Sequence, residues 1–196
     1  MRPLLRAFLL AHALQSLSGT EVCAQSPLHS FDQVVLSEEF FSEGACLTDI
    51  NGDGKVDVVS GPYWYAGPEF RIRHAYAPAR RFSIKGYSDH FFTFAEDFNA
   101  DDRPDLLTIP IPGQNSYWYE NPGKPDVLWK KHLVLDDVGN ESPTLVDLTG
   151  DGQVELVCCR GGAIGYASRD AGDPAKPWSF HPISDNRGYG RFTHGL

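Results

Sequence analysis

One acidic motif recurs three times at a spacing near 50 residues, each copy is followed by further strand-like segments, and no stretch keeps a 3.6-residue apolar period. Together these observations predict an all-β chain, a partial β-propeller of four-stranded blades with about three and a half blades present. Composition agrees: 19 Gly, 14 Pro and 12% aromatic residues with a single Met suit short strands and tight turns.

Residues 1–24 are set apart first. Arg2 and Arg6 precede an apolar stretch from Ala7 to Leu17, and Val22-Cys23-Ala24 offers a cleavage site ahead of Gln25. This pattern predicts an export signal. The apolar run, broken by His12, Gln15 and Ser16, is shorter than the ~20 residues a membrane span needs. Cys23 lacks the leucine-rich run that precedes a lipidated cysteine. The expected location of the mature chain is therefore secreted or periplasmic.

Residues 25–196 carry the repeats. Asp49 opens D-I-N-G-D-G-K-V-D, Asp97 opens D-F-N-A-D-D-R-P-D and Asp147 opens D-L-T-G-D-G-Q-V-E, at intervals of 48 and 50 residues. Apolar segments precede the motifs (Phe40 to Leu47, Phe91 to Phe94, Pro143 to Val146), and Val58-Val59, Leu106-Leu107 and Leu156-Val157 follow them. Each is read as a hairpin with an acidic tip. An aromatic strand comes next, Tyr63-Trp64-Tyr65 and Tyr117-Trp118-Tyr119, with only Tyr166 kept in the third copy. A last strand carries a histidine: Arg71-Ile72-Arg73-His74, Trp129-Lys130-Lys131-His132 and Trp178-Ser179-Phe180-His181. Arg191 to Leu196 is read as the strand leading into a fourth loop, due at about residue 197, so the remainder of a longer chain is expected to follow.

Positions 1, 3, 5 and 9 of each motif are oxygen donors and position 7 offers its backbone carbonyl, the hard-oxygen set that calcium takes. The expected ligands are Asp49, Asn51, Asp53, Lys55 (carbonyl) and Asp57 in the first loop. The second supplies Asp97, Asn99, Asp101, Arg103 (carbonyl) and Asp105, and the third Asp147, Thr149, Asp151, Gln153 (carbonyl) and Glu155. Gly54 and Gly152 provide a left-handed residue at position 6, where Asp102 stands in the second loop and accepts that conformation less well. The bland alternative is an Asx-type turn without metal. An EF-hand is excluded, because its position-12 Glu is Ser60, Thr108 or Cys158 here.

With these motifs, the segment from about Phe40 to the end resembles FG-GAP/VCBS-type repeats, which are similar to the blades of the integrin α-subunit propeller and occur in many exported bacterial proteins. The resemblance implies a β-propeller with calcium in the hairpin loops of several blades, serving adhesion, carbohydrate contact or architecture. Asp102, Thr149 and the absence of a clear Phe-Gly…Gly-Ala-Pro signature depart from it.

The remaining residues give little sign of catalysis. His74, His90, His132, His181 and His194 lie in no H-E-x-x-H, G-x-S-x-G or phosphate-loop motif, and Ser88-Asp89-His90 lists triad residue types only by adjacency. Cys46, Cys158 and Cys159 are read as small buried residues. A net charge of −9 with clustered acids disfavours nucleic acid. Since alternate strand residues face opposite sides, some ring of each aromatic triplet is expected to be exposed. The leading expectation is a non-catalytic, calcium-stabilised module for binding, adhesion or assembly, with carbohydrate or another protein as partner. The rival is the propeller part of a polysaccharide-degrading lyase or hydrolase, resting on fold analogy; a third reading is a purely structural segment.

Overall fold

The computed structural model describes residues 30–195; the expected signal, with Cys23, lies outside the described residues. The chain divides into compact units at 1–33 and 34–196. In the first unit the described residues, 30–33, form no regular element. No helix is present among the described residues of the second, and none of the described chain is a helix long and apolar enough to cross a membrane.

Among the described residues, twelve strands make three four-stranded antiparallel sheets, one per repeat, each a plain meander. The first blade comprises β1 (Ala45–Thr48), β2 (Asp57–Ser60), β3 (Tyr63–Tyr65) and β4 (Arg73–Ala75). The second comprises β5 (Phe92–Glu96), β6 (Asp105–Ile109), β7 (Gln114–Glu120) and β8 (Lys130–Val138). The third comprises β9 (Thr144–Val146), β10 (Glu155–Arg160), β11 (Ala163–Ser168) and β12 (Ser179–Pro182). The acidic motifs join the first two strands of each blade, as the hairpin reading requires. This is the expected partial β-propeller, with sheets that do not close into a ring.

One cross-strand pair repeats in all three blades. Trp64 faces His74, Trp118 faces His132 and Tyr166 faces His181, with ring centroids 4.3, 4.3 and 4.9 Å apart in stacked geometry. Neighbouring positions on a pleated surface bring such rings together, so the repeated histidines are sheet-packing residues. Each ring also has a polar partner at 2.8 Å: Asp126 for His74, Glu120 for His132 and Ser168 for His181.

Successive blades are joined by two recurring contacts. The Trp129 amide donates to the Tyr76 carbonyl of the first blade, and the Trp178 amide donates to the Val134 carbonyl of the second. In each case the acceptor lies two residues beyond the stacked histidine. The side chain just after the aromatic strand then reaches back to the previous blade's acidic loop: Asn121 Nδ2 donates to the Ile50 carbonyl, and Arg169 donates to the Asp97 carbonyl. Two apolar clusters fill the spaces so formed. Ile50, Val59, Trp64, Tyr76, Leu106, Tyr119 and Trp129 belong to one, and Phe98, Leu107, Trp118, Val134, Leu156 and Trp178 to the other.

Two expectations need correction. No ring of the aromatic triplets is exposed: Trp64, Tyr65, Trp118 and Tyr119 are buried, and Tyr63 and Tyr117 are half-buried. The second blade is covered on both faces, as the wholly buried β6 demonstrates, and the two half-buried rings lie beneath Arg73 and Lys131. Cation contact therefore replaces solvent on those faces. Residues 191–195 form no strand either. A turn from Gly190 to Thr193 folds this segment onto the lead-in to β9, where the Glu141 amide donates to the Thr193 carbonyl, and Tyr189 makes an isolated bridge to Gly162.

Candidate functional site

The three acidic loops share one construction. Asp49 accepts amide N–H groups from Gly52, Asp53 and Gly54. Asp147 accepts the corresponding set from Gly150, Asp151 and Gly152, and Asp97 accepts from Asp101 and Asp102. The first carboxylate thus winds the backbone around itself. Positions 4 and 6 are left-handed throughout: Gly52 and Gly54 have φ of 74° and 80°, Gly150 and Gly152 76° and 85°. The second loop keeps this path with Ala100 at 60° and Asp102 at 64°. A side chain in that region costs about 1 kcal/mol or more, so the shape persists where the local sequence opposes it.

Position 9 does something sequence reasoning missed. Asp57 and Asp105 are fully buried, and each carboxylate bridges two segments. Asp57 accepts from Ile50 N at 2.9 Å and Gly67 N at 2.8 Å. Asp105 accepts from Phe98 N at 3.1 Å and Asn121 N at 2.7 Å. Each ties its loop to the turn that follows the aromatic strand. Glu155, one methylene longer, turns instead to its own loop and takes the amides of Leu148 and Thr149 together with the Thr149 hydroxyl. The signal available in sequence was the β2-type position itself: the first residue of a buried strand is an unusual place for an unpaired acid.

Burial pushes the Asp105 carboxyl up to about 7; the Asn121 and Phe98 amides pull it down, while the charges of Asp101 and Asp97 push it further up. Loss of solvent is the main cause, to which the loop's own negative charge adds. Part of it is met internally, because Arg103 is ion-paired with Asp101 and also donates to the Asn121 carbonyl. Among the described residues the first loop has no such cation on Asp53, whose carboxylate accepts the Lys55 amide. Among the described residues, no group of three or more His, Cys, Asp or Glu side chains is gathered so as to hold a metal ion. The donor set of the first loop is mixed: Asp49, Asn51 and Asp53 side chains with the Lys55 carbonyl, above the buried Asp57. All are hard oxygens with lone pairs beyond those the amides use, and this chemistry suits calcium.

The other candidates have structural partners. The Ser88 hydroxyl donates to Glu43, and the His90 ring meets the Tyr76 hydroxyl at 3.3 Å, so the Ser88-Asp89-His90 run forms no relay. Cys46, Cys158 and Cys159 are free thiols, and burial pushes Cys46 and Cys158 up to about 12, far from the thiolate a nucleophile needs.

Beside the first loop lies a cavity of about 230 Å³ between the first and second blades, lined by Ile50, Asn51, Trp64, His74, Lys124 and Trp129 among others. A broader cleft of about 380 Å³ at the next seam is lined by Phe98, Asn99, Gln153 and Arg169, and no tryptophan reaches it.

Comparison with curated proteins finds no match. A family model does match: residues 97–158, from the first residue of the second acidic loop into β10, fit the FG-GAP-like repeat. The chain carries an FG-GAP-like repeat over residues 97–158, and its three four-stranded sheets are compatible with a succession of FG-GAP repeat blades.

Proposed function

We propose that this chain is an exported, calcium-stabilised β-propeller module that acts outside the cytoplasm in binding, adhesion or assembly and has no catalytic role. The observation that carries the reading is the second acidic loop. It keeps the wound path of the other two although Ala100 and Asp102 must adopt left-handed backbone to do so. A bound cation held by that path offsets both the strain and the repulsion among Asp97, Asp101 and Asp105.

In the first loop Asp49, Asn51, Asp53 and the Lys55 carbonyl hold the ion, with Asp57 beneath. In the second, Asp97, Asn99, Asp101 and the Arg103 carbonyl do so above Asp105, against competition from the Arg103 guanidinium. The third loop, Asp147, Thr149, Asp151, Gln153 and Glu155, is the weakest because Thr149 and Glu155 bond each other. Calcium here fixes the hairpin tips, and the tips bear the blade-to-blade contacts of Ile50 and Asp97, so occupancy is linked to folding. The non-catalytic reading is supported by the repeated histidines, each stacked on an aromatic partner, and by thiols held protonated.

The test is thermal unfolding of the full chain in calcium, in magnesium and in excess chelator. At calcium one hundred times the dissociation constant the folded state gains about 2.7 kcal/mol, which appears as a rise in Tm that chelator reverses and magnesium does not reproduce. An unchanged Tm would reduce the loops to ordinary turns.

A further inference from the structure

The connection from the first blade to the second is unlike the one from the second to the third. Residues 139–143 carry the chain from β8 to β9, whereas residues 76–91 carry it from β4 to β5 with no regular element. Compact domains make such steps in a few residues, and a connector this long usually has a use of its own. Its ends are fastened: the Tyr76 amide donates to the Pro62 carbonyl, and the Ser88 hydroxyl donates to Glu43. Between Ala77 and Ser88 the main chain is held more loosely, by the Phe82 amide on the Phe40 carbonyl and by a turn in which the Gly86 amide donates to the Ser83 carbonyl. Ile84 at that turn is 85% exposed.

In this stretch Arg80 and Arg81 stand side by side, with side chains 68% and 73% exposed. Arg80 is paired with Asp89 and Arg81 with Glu39, surface ion pairs of a kind that a competing carboxylate readily replaces. The other adjacent basic pair among the described residues, Lys130-Lys131, is locked into β8 by its pairing with β7. The remaining blade turns are closed to a protease that cuts after basic residues. Lys124, in the turn after β7, and Lys176, in the turn after β11, each precede a proline, whose nitrogen has no hydrogen and whose ring resists cleavage at that bond. Arg71, in the turn after β3, sits in a short loop tied by the Ala66 amide to the Ile72 carbonyl. Exposed loop tips are where nicking concentrates, and here the accessible tip carries the paired arginines.

We propose that Arg80-Arg81 is a processing site, cut at the Arg81–Phe82 bond by a serine endopeptidase that recognises paired basic residues. One acidic pocket of such an enzyme takes the Arg81 guanidinium and a second carboxylate takes Arg80. The serine displaces the Phe82 nitrogen, which leaves with a proton, and water then releases Arg81 as a carboxylate. The product is a two-chain protein. Its first blade stays in place through the Trp129 to Tyr76 bond, the Asn121 to Ile50 bond and the apolar cluster of the first seam, none of which the cut touches. Because β4 runs away from the acidic loops, the cut lies at the other end of the blades, and the inference does not rest on calcium.

The full chain is digested under native conditions with trypsin, which reads access, and with a subtilisin-type endoproteinase specific for paired basic residues, which reads recognition. Trypsin should cut first between Arg80 and Gly86. The paired-basic enzyme should cut at Arg81–Phe82, giving a fragment that begins Phe82-Ser83-Ile84, and both fragments should co-elute on gel filtration until denatured. Unfolding of the cut protein should become concentration-dependent, because the first blade is then a bound partner. Arg80→Gln should slow the paired-basic enzyme by about tenfold or more while trypsin still cuts the connector. The proposal would be overturned by a first cut outside the connector, by a chain left intact under conditions that digest the unfolded protein, by an Arg80→Gln chain cut at an undiminished rate, or by fragments that separate without denaturant.

Discussion

The first and second seams solve the same packing problem with different chemistry. At the second, Phe98 fills the gap between two tryptophans and Val134 occupies the position two beyond the stacked histidine. At the first, Ile50 leaves the gap open and that later position is Tyr76, whose hydroxyl donates to the Gly61 carbonyl and meets the His90 ring. Between its tryptophans the second seam is closed by the Phe98 ring, with a cleft of about 380 Å³ lined by Asn99, Gln153 and Arg169 beside them. The first holds a polar pair and a cavity of about 230 Å³ beside its tryptophans, so packing stability is expected to reside more in the second seam.

Truncation should make that difference measurable. Phe98→Ala removes a ring buried against Trp118 and Trp178 and is expected to cost about 4 kcal/mol. Ile50→Ala enlarges a space that already exists and should cost about 2 kcal/mol. Urea unfolding of both variants checks the order, and equal losses would contradict the division of roles.

Acid should act on the two seams in opposite senses: Asp105, raised to about 7, takes up its proton more readily in the folded chain and favours folding as pH falls, whereas His90 at the first seam opposes it. Burial lowers His90 from its ordinary 6.5 to about 4, against the opposing charge of Asp89. The unfolded chain then takes a proton near pH 6.5 that the folded chain refuses until about pH 4. The stability this neutral ring contributes is complete above pH 6.5, falls as pH drops through the window and is gone below pH 4. The shift corresponds to about 3 kcal/mol at most. His90→Gln should remove the loss of stability on acidification between those limits and leave the opposite contribution of Asp105, and an unaltered slope would remove His90 from the account.

Much of this architecture was legible in the sequence because repetition is a strong signal. The three motifs, the aromatic strand and the histidine strand each reappear as β-elements in the expected order, and the absence of a helical period matches a described chain without helices. Three features were not legible, each for a physical reason. Position 9 reads as a calcium ligand, and the loop motif alone does not show that Asp57 and Asp105 are buried under the loop by the strands they begin. The left-handed residue at position 4 is hidden in the second loop, where Ala100 stands for glycine. The reach of Asn121 and Arg169 into the preceding blade depends on blade packing, which no local pattern encodes.

Those two reaching side chains give a finer test of the seams. Asn121 is buried, donates to Ile50 and Pro104 carbonyls and accepts the Gly123 amide. Asn121→Ala leaves three buried or half-buried groups unmatched and is expected to cost about 2 kcal/mol. Arg169→Ala, at a half-exposed position whose partners can turn to water, should cost about 1 kcal/mol. Equilibrium unfolding of the two variants decides whether the first seam depends more on its polar clip, as the open cavity beside it implies.

The smallest effect contrasts the loops rather than the seams. Asp102 is exposed at φ 64°, where Gly54 and Gly152 serve in the other loops. Asp102→Gly removes the steric penalty of a side chain in left-handed backbone and one negative charge near Asp97, Asp101 and Asp105. Glycine's greater freedom in the unfolded chain offsets part of that gain. The expected net is stabilisation by about 1 kcal/mol in chelator. In saturating calcium the charge relief should shrink, because a bound cation already answers the repulsion. A gain larger in chelator than in calcium would place the metal in the second loop, whereas the same gain in both would mean that relief of backbone strain is the whole effect and that the Asp102 charge is not felt by an ion there.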